Sequence, residues 1–119
     1  MPDPRKILII DDERDFCDLL VLMFKREPFD VECAYTLKEA LKKLKKEHPA
    51  IVLLDHNLPD GRGLDFYVDK KEQFDEAKIF LMTADPSREI QEGAREAGIE
   101  FLAKPFGLKK IKDIVRSAG

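Results

Sequence analysis

Cysteine and histidine are scarce in this 119-residue chain, with two of each. Cys17 and Cys33 have neither the spacing of a metal site nor the number of a disulfide framework. They read as two reduced, small hydrophobic residues of a cytoplasmic protein. Charge of one sign is also lacking: the formal net charge is −3, which argues against direct nucleic-acid binding or attachment to a membrane surface. No run approaches the roughly 20 apolar residues that span a bilayer. The opening MPDPRK leads straight into a strand-like run, without a signal peptide's apolar region. Neither GxxxxGK nor GxGxxG occurs, so P-loop and dinucleotide-binding readings fail. No linker or low-complexity segment interrupts residues 1–119, which are expected to form one domain with no second, output domain.

What the chain does have is alternation. Short apolar runs at Lys6–Ile10, Val31–Tyr35, Ala50–Leu54, Lys78–Met82 and Glu100–Ala103 read as strands. The first, third and fourth are continuously apolar, as in central strands of a parallel sheet covered on both faces. Between them lie helical patterns. Asp12 or Glu13 opens the first, which carries Phe16, Leu19, Leu20, Met23 and Phe24 and stops before Pro28. Thr36 and Glu39 form a capping box ahead of Leu37, Ala40, Leu41 and Leu44. The third helix, from Gly63, has the weakest pattern. Asp85-Pro86 is read as N-cap and first turn of the fourth, with Gly98 ending it. Leu108, Ile111, Ile114 and Val115 mark the fifth. Five strands alternating with five helices predict a three-layer α/β sandwich with right-handed crossovers.

The polar residues fall at telling places. Asp11 and Asp12 follow the first strand, Asp55 the third, Thr83 the fourth and Lys104 the fifth. In a parallel sheet these C-terminal strand ends share one edge, where open α/β sheets bind ligands. Singly, each has a plain structural reading: a helix cap, an Asx turn, a strand-end hydroxyl, a solvated lysine. Together they make a chemical set. Three carboxylates at close range must bind a cation or raise a pKa. Oxygen ligands without nearby Cys or His favour a hard ion, Mg²⁺ or Mn²⁺. An ammonium and a hydroxyl beside a free carboxylate then suit phosphoryl transfer, with Asp55 as nucleophile. That chemistry needs alignment and charge neutralisation more than a base, so no catalytic histidine is required.

These motifs resemble the receiver domain of bacterial two-component response regulators. ILIIDDE is similar to the family's first strand and acidic pair, IVLLDHNLPDGRG to its phosphoacceptor strand and loop, LMTA to its fourth strand and FLAKPF to its fifth. The resemblance implies a flavodoxin-like fold of strand order 2-1-3-4-5. It implies phosphorylation of Asp55 by a sensor histidine kinase, a phosphotransfer protein or a small phosphodonor, followed by slow autodephosphorylation. Asp12 and Asp55 would hold Mg²⁺ (or Mn²⁺) by side chain, Asn57 by its backbone carbonyl and Asp11 through a water. Lys104 would contact the phosphoryl oxygens, Thr83 would move toward them, and Phe101 would report that movement. Output would pass through the fourth helix, fifth strand and fifth helix to a downstream protein or a C-terminal output domain. Such a chain is a signalling switch rather than an enzyme with an external substrate. It is expected to be a monomer without phosphate, with dimerisation of the phosphorylated form left open. Asn57 and Asp85 flank the expected path of the hydrolytic water. His56 reads as a loop residue turned away from Asp55, and His48 as an exposed residue at a helix C-terminus.

Two other readings fit less well. Phosphatases of the haloacid dehalogenase kind also use an aspartate nucleophile, but in a DxD pair after the first strand; here Asp55-His56-Asn57 follows the third. A receiver-like module that no longer takes phosphate would usually lack one of the acidic residues or the lysine, and all are present.

Overall fold

Four consecutive isoleucine and leucine residues, Ile7 to Ile10, lie at most 2% exposed. Burial without alternation means that both sides of this strand are covered. In the computed structural model, which describes residues 5–85, 87–104 and 107–118, it is β1 (Arg5–Ile10) of a five-stranded parallel sheet. The other strands are β2 (Phe29–Ala34), β3 (Ile51–Asp55), β6 (Lys78–Thr83) and β7 (Glu100–Ala103), ordered β2-β1-β3-β6-β7. Two-residue strands β4 (Asn57–Leu58) and β5 (Gly61–Arg62) pair separately in the loop after β3. Counting only the long strands, the order is the expected 2-1-3-4-5. The fold is the flavodoxin-like α/β sandwich.

Helices α1 (Arg14–Met23) and α5 (Leu108–Ala118) supply one outer layer. Cys17, Leu20 and Phe24 from the first, and Ile111 and Val115 from the second, pack on Ile7, Ile9, Leu53, Phe80 and Met82. Helices α2 (Leu37–Glu47), α3 (Gly63–Asp69) and α4 (Arg88–Glu96) lie on the side of Leu8, Ile10, Val52, Leu54 and Leu81. Each central strand thus sends alternate residues into two cores. A 3₁₀ turn at Lys71–Phe74 continues α3 and buries Phe74 edge-on against Tyr67, with ring centroids 4.9 Å apart.

Helix ends follow the sequence in part. Thr36 Oγ1 accepts from the Glu39 amide at 3.1 Å, giving one half of the capping box. A further cap comes from a distance: the Asp60 carboxylate accepts from the amides of Leu37 (2.8 Å) and Lys38 (3.0 Å). Glu13 occupies the α1 cap position without a side-chain cap bond; its own amide donates to Asp11 Oδ1 at 2.9 Å. The expectation for α4 is corrected. Its N-cap is Ser87, whose hydroxyl accepts from the Ile90 amide, while Asp85 accepts from the Ser87 amide at 3.1 Å. Asp85 sits too early because its own amide is committed to Thr83. Gly98, at φ +76°, ends α4 in the left-handed region that glycine adopts without strain. Pro86, Pro105, Phe106 and the opening residues 1–4 lie outside the described residues.

Candidate functional site

The ladder itself carries the polar residues to one rim. Ile10 pairs with Ala34 and Leu54, and the Asp11 amide donates to the Ala34 carbonyl. Asp55 pairs with Met82, and Thr83 with Ala103. The Lys104 amide donates to the Thr83 carbonyl at 2.8 Å. Backbone pairing therefore fixes the start of each functional side chain, and the register leaves Asp11, Asp55, Thr83 and Lys104 side by side.

Their environments differ. Asp11 is fully buried, Asp55 is 5% exposed and Thr83 is fully buried, whereas Asp12 is exposed. One carboxylate oxygen from each of Asp11, Asp12 and Asp55 lies within 4.8 Å of the others. Lys104 Nζ reaches Asp11 Oδ2 at 2.7 Å, Glu13 Oε1 at 3.3 Å and Asp55 Oδ1 at 3.7 Å. The ammonium also stands 5.3 Å from the centroid of the Phe16 ring, close enough for cation–π attraction. Asp55 Oδ1 takes a long bond, 3.5 Å, from the Asn57 amide.

Burial and the neighbouring Asp11 push the Asp55 carboxyl up to about 6, against the opposing pull of Lys104. Burial likewise raises Asp11, opposed by its bonds from Lys104 and the Glu13 amide. For Lys104, burial works against the charge, but Asp11, Asp55 and Glu13 outweigh it and hold the ammonium above its ordinary range. Neither proton loss from Lys104 nor full ionisation of the acids is comfortable here. Three acids against one lysine leave a site short of positive charge, and an oxygen-binding divalent cation fits that deficit.

The surrounding loops hold this arrangement. The Gly63 amide donates to the His56 carbonyl at 2.7 Å. A β-carbon at position 63 would stand 2.2 Å from the carbonyl oxygen of Asp55. Glycine is needed because α3 begins against the backbone of Asp55 at the end of β3. His56 is buried and its Nδ1 accepts from the Leu64 amide at 3.4 Å; burial and Arg62 depress its pKa. Among the described residues it is not in the acidic cluster. Thr83 Oγ1 accepts from the Asp85 amide at 3.0 Å. Phe101 is half-buried against the α3/α4 side of the core.

Sequence reasoning missed Glu13 and Phe16 as partners of Lys104, and Asp60 as a remote cap. Glu13 was signalled only by its place beside the acidic pair. Neither the ring–ammonium contact nor the cap from the following loop leaves a local pattern, since both depend on chain crossing.

The response regulator receiver domain model matches residues 7–116, and the chain belongs to that family. It is thus a receiver domain of two-component response regulators, a class that works by phosphorylation-based signalling rather than by turnover of a substrate. A two-component response regulator from Clostridium difficile is 25% identical, with 96% of this chain and 94% of that one covered and a TM-score of 0.88. A CheY-like response regulator receiver domain protein from Methanospirillum hungatei is 28% identical, covering 96% and 95%, at 0.83. A response regulator from Burkholderia pseudomallei, solved with a phosphorylated aspartic acid, calcium ion and citrate, is 25% identical, covering 95% and 71%, at 0.82. Among the described residues no helix is long and apolar enough to cross a membrane.

Proposed function

We propose that Asp55 accepts a phosphoryl group from the phosphohistidine of a sensor histidine kinase or phosphotransfer protein, or from a small phosphodonor. The observation that carries this reading is the placement of one buried carboxylate beside two others and 3.7 Å from a lysine ammonium. An Asp55 oxygen attacks phosphorus in line as the bond to the donor breaks, and the leaving group departs on the opposite side. Lys104 shifts its contact from Asp11 and Glu13 to the arriving phosphoryl oxygens. The Thr83 hydroxyl turns toward the same oxygens and Phe101 repacks behind it. Asp12 and Asp55 by side chain, Asn57 by its carbonyl and Asp11 through a water would hold Mg²⁺ or Mn²⁺. When bound, that ion supplies the charge neutralisation that the crowded carboxylates lack.

The signal leaves through the face of α4, β7 and α5, toward a downstream protein or an output domain. In this reading residues 1–119 act as one switch in the cytoplasm, monomeric without phosphate, and bind neither nucleic acid nor membrane. The phosphoryl group is slowly lost to water. Incubation with acetyl phosphate and Mg²⁺, followed by intact-mass measurement, tests the core of this reading. One phosphoryl adduct is expected, absent without the ion and absent in Asp55→Asn. No adduct at any Mg²⁺ concentration would make the chain a receiver-like module without phosphoacceptor activity.

A further inference from the structure

Cys17 and Cys33 are remote in sequence and meet in the fold. Cys33 pairs with Ile9 across the β1–β2 ladder. Directly paired residues of neighbouring strands project to the same face of a sheet, and Ile9 faces the α1/α5 layer. Cys17 lies on the buried stripe of α1 in that same cluster. The two thiols lie close enough to bias one another's ionisation, and Cys17 Sγ donates to the Asp11 carbonyl at 3.6 Å.

The two sulfurs are unequal. Cys17 is fully buried, while Cys33 is partly open to solvent. Lys43 stands beside Cys33, with Nζ donating to its carbonyl at 2.6 Å. The neighbouring Cys17, together with the charge of Lys43, draws the Cys33 thiol down against its burial. A partly exposed cysteine backed by a shielded one is the arrangement in which a sensing cysteine has a resolving partner.

We propose that Cys17 and Cys33 form a redox modification site, a dithiol that closes to an intramolecular disulfide when a peroxide reaches it. The Cys33 sulfur attacks one peroxide oxygen, the oxygen–oxygen bond breaks, and the released hydroxide takes the thiol proton to leave as water. The sulfenic acid so formed is attacked by the Cys17 sulfur. The sulfur–oxygen bond breaks, and a second water leaves with the Cys17 proton. Two thiols are oxidised and one peroxide is reduced. The new bond would join α1 to β2 and remove the hydrogen that Cys17 offers to the Asp11 carbonyl, so it touches the acidic rim without consuming any rim residue.

The full chain, reduced and folded, is treated with hydrogen peroxide in buffer without denaturant, then unfolded, alkylated and mapped without reductant. The expected product has lost two hydrogens, carries no alkylatable thiol, yields a linked peptide pair containing Cys17 and Cys33, and returns to the starting mass with dithiothreitol. In Cys17→Ala the same treatment should leave an oxygen adduct on Cys33 and no loss of two hydrogens. The proposal is overturned by Cys33 sulfinic acid with Cys17 still alkylatable, by a disulfide between two chains, or by two thiols that survive untouched. Because the readout is mass, it stands or falls independently of phosphate transfer to Asp55.

Discussion

The two ends of the parallel sheet both carry ion pairs and treat them oppositely. At the end where strands begin, Lys78 and Glu100 pair at 3.4 Å with both side chains about half exposed. His48 and Asp75 meet at 3.0 Å, more exposed still. At the end where strands finish, Lys104 is 16% exposed and its nearest partner, Asp11, is completely buried. Water screens the first set, so those pairs contribute little. At the second, burial magnifies both attraction and repulsion, and acids outnumber the cation. One end of the molecule is solvated surface; the other stores an electrostatic tension that a divalent cation would relieve.

Substituting the lysine at each end separates these regimes most strongly. Lys104→Ala leaves Asp11 and Asp55 without their cation and should cost about 3 kcal/mol of folding stability in metal-free buffer. Lys78→Ala should cost under about 0.5 kcal/mol. Urea melts of both variants check the contrast, and equal losses would erase it.

A smaller effect comes from the charge of Asp55. The folded chain holds the Asp55 proton more tightly than the unfolded chain, because the folded value lies near 6 and the ordinary one near 3.8. Proton binding there favours the folded state. The cost of ionising Asp55 is absent below pH 4, appears between pH 4 and 6, and is complete above. Asp55→Asn should therefore stabilise the metal-free protein at pH 7.5 by on the order of 2 kcal/mol, with the gain shrinking toward pH 4. Thermal melts across that range would show it, and a gain independent of pH would refute the assignment.

Next in size is Asp60→Ala, which frees the amides of Leu37 and Lys38 and should cost about 1 kcal/mol. This too is read from a denaturant melt. The smallest change in stability is expected for Asn57→Ala and Asp85→Ala, which should alter the lifetime of phosphorylated Asp55 with little change in melting. Timing the loss of phosphate by intact mass would decide it, an unchanged lifetime counting against a role beside the water path.

The layered fold was legible because continuous burial of β1, β3 and β6 writes itself as unbroken Ile, Val, Leu, Phe and Met. Glu100–Ala103 was recovered to the residue, whereas β2 begins at Phe29 rather than Val31. Its edge position exposes one side and weakens the apolar signal, as Asp30 and Glu32 illustrate. The positions of Asp11, Asp55, Thr83 and Lys104 followed from parallel pairing alone. What could not be read was which acid is shielded. Asp11 and Asp12 are adjacent and identical in type, yet only the first continues the ladder by donating to Ala34 and enters the interior. The α4 N-cap was expected at Asp85 but lies two residues on, at Ser87, because the Thr83–Asp85 bond delays the helix.

The absence of tryptophan gives the two tyrosines optical value. Tyr35 follows β2 with the Arg14 guanidinium 4.0 Å above its ring. Tyr67 lies 8% exposed on the far side of the sheet, against Phe74. Native emission therefore originates from two points in different layers, one next to the first helix and one on the third. Replacing either by phenylalanine leaves a label-free reporter of a single layer.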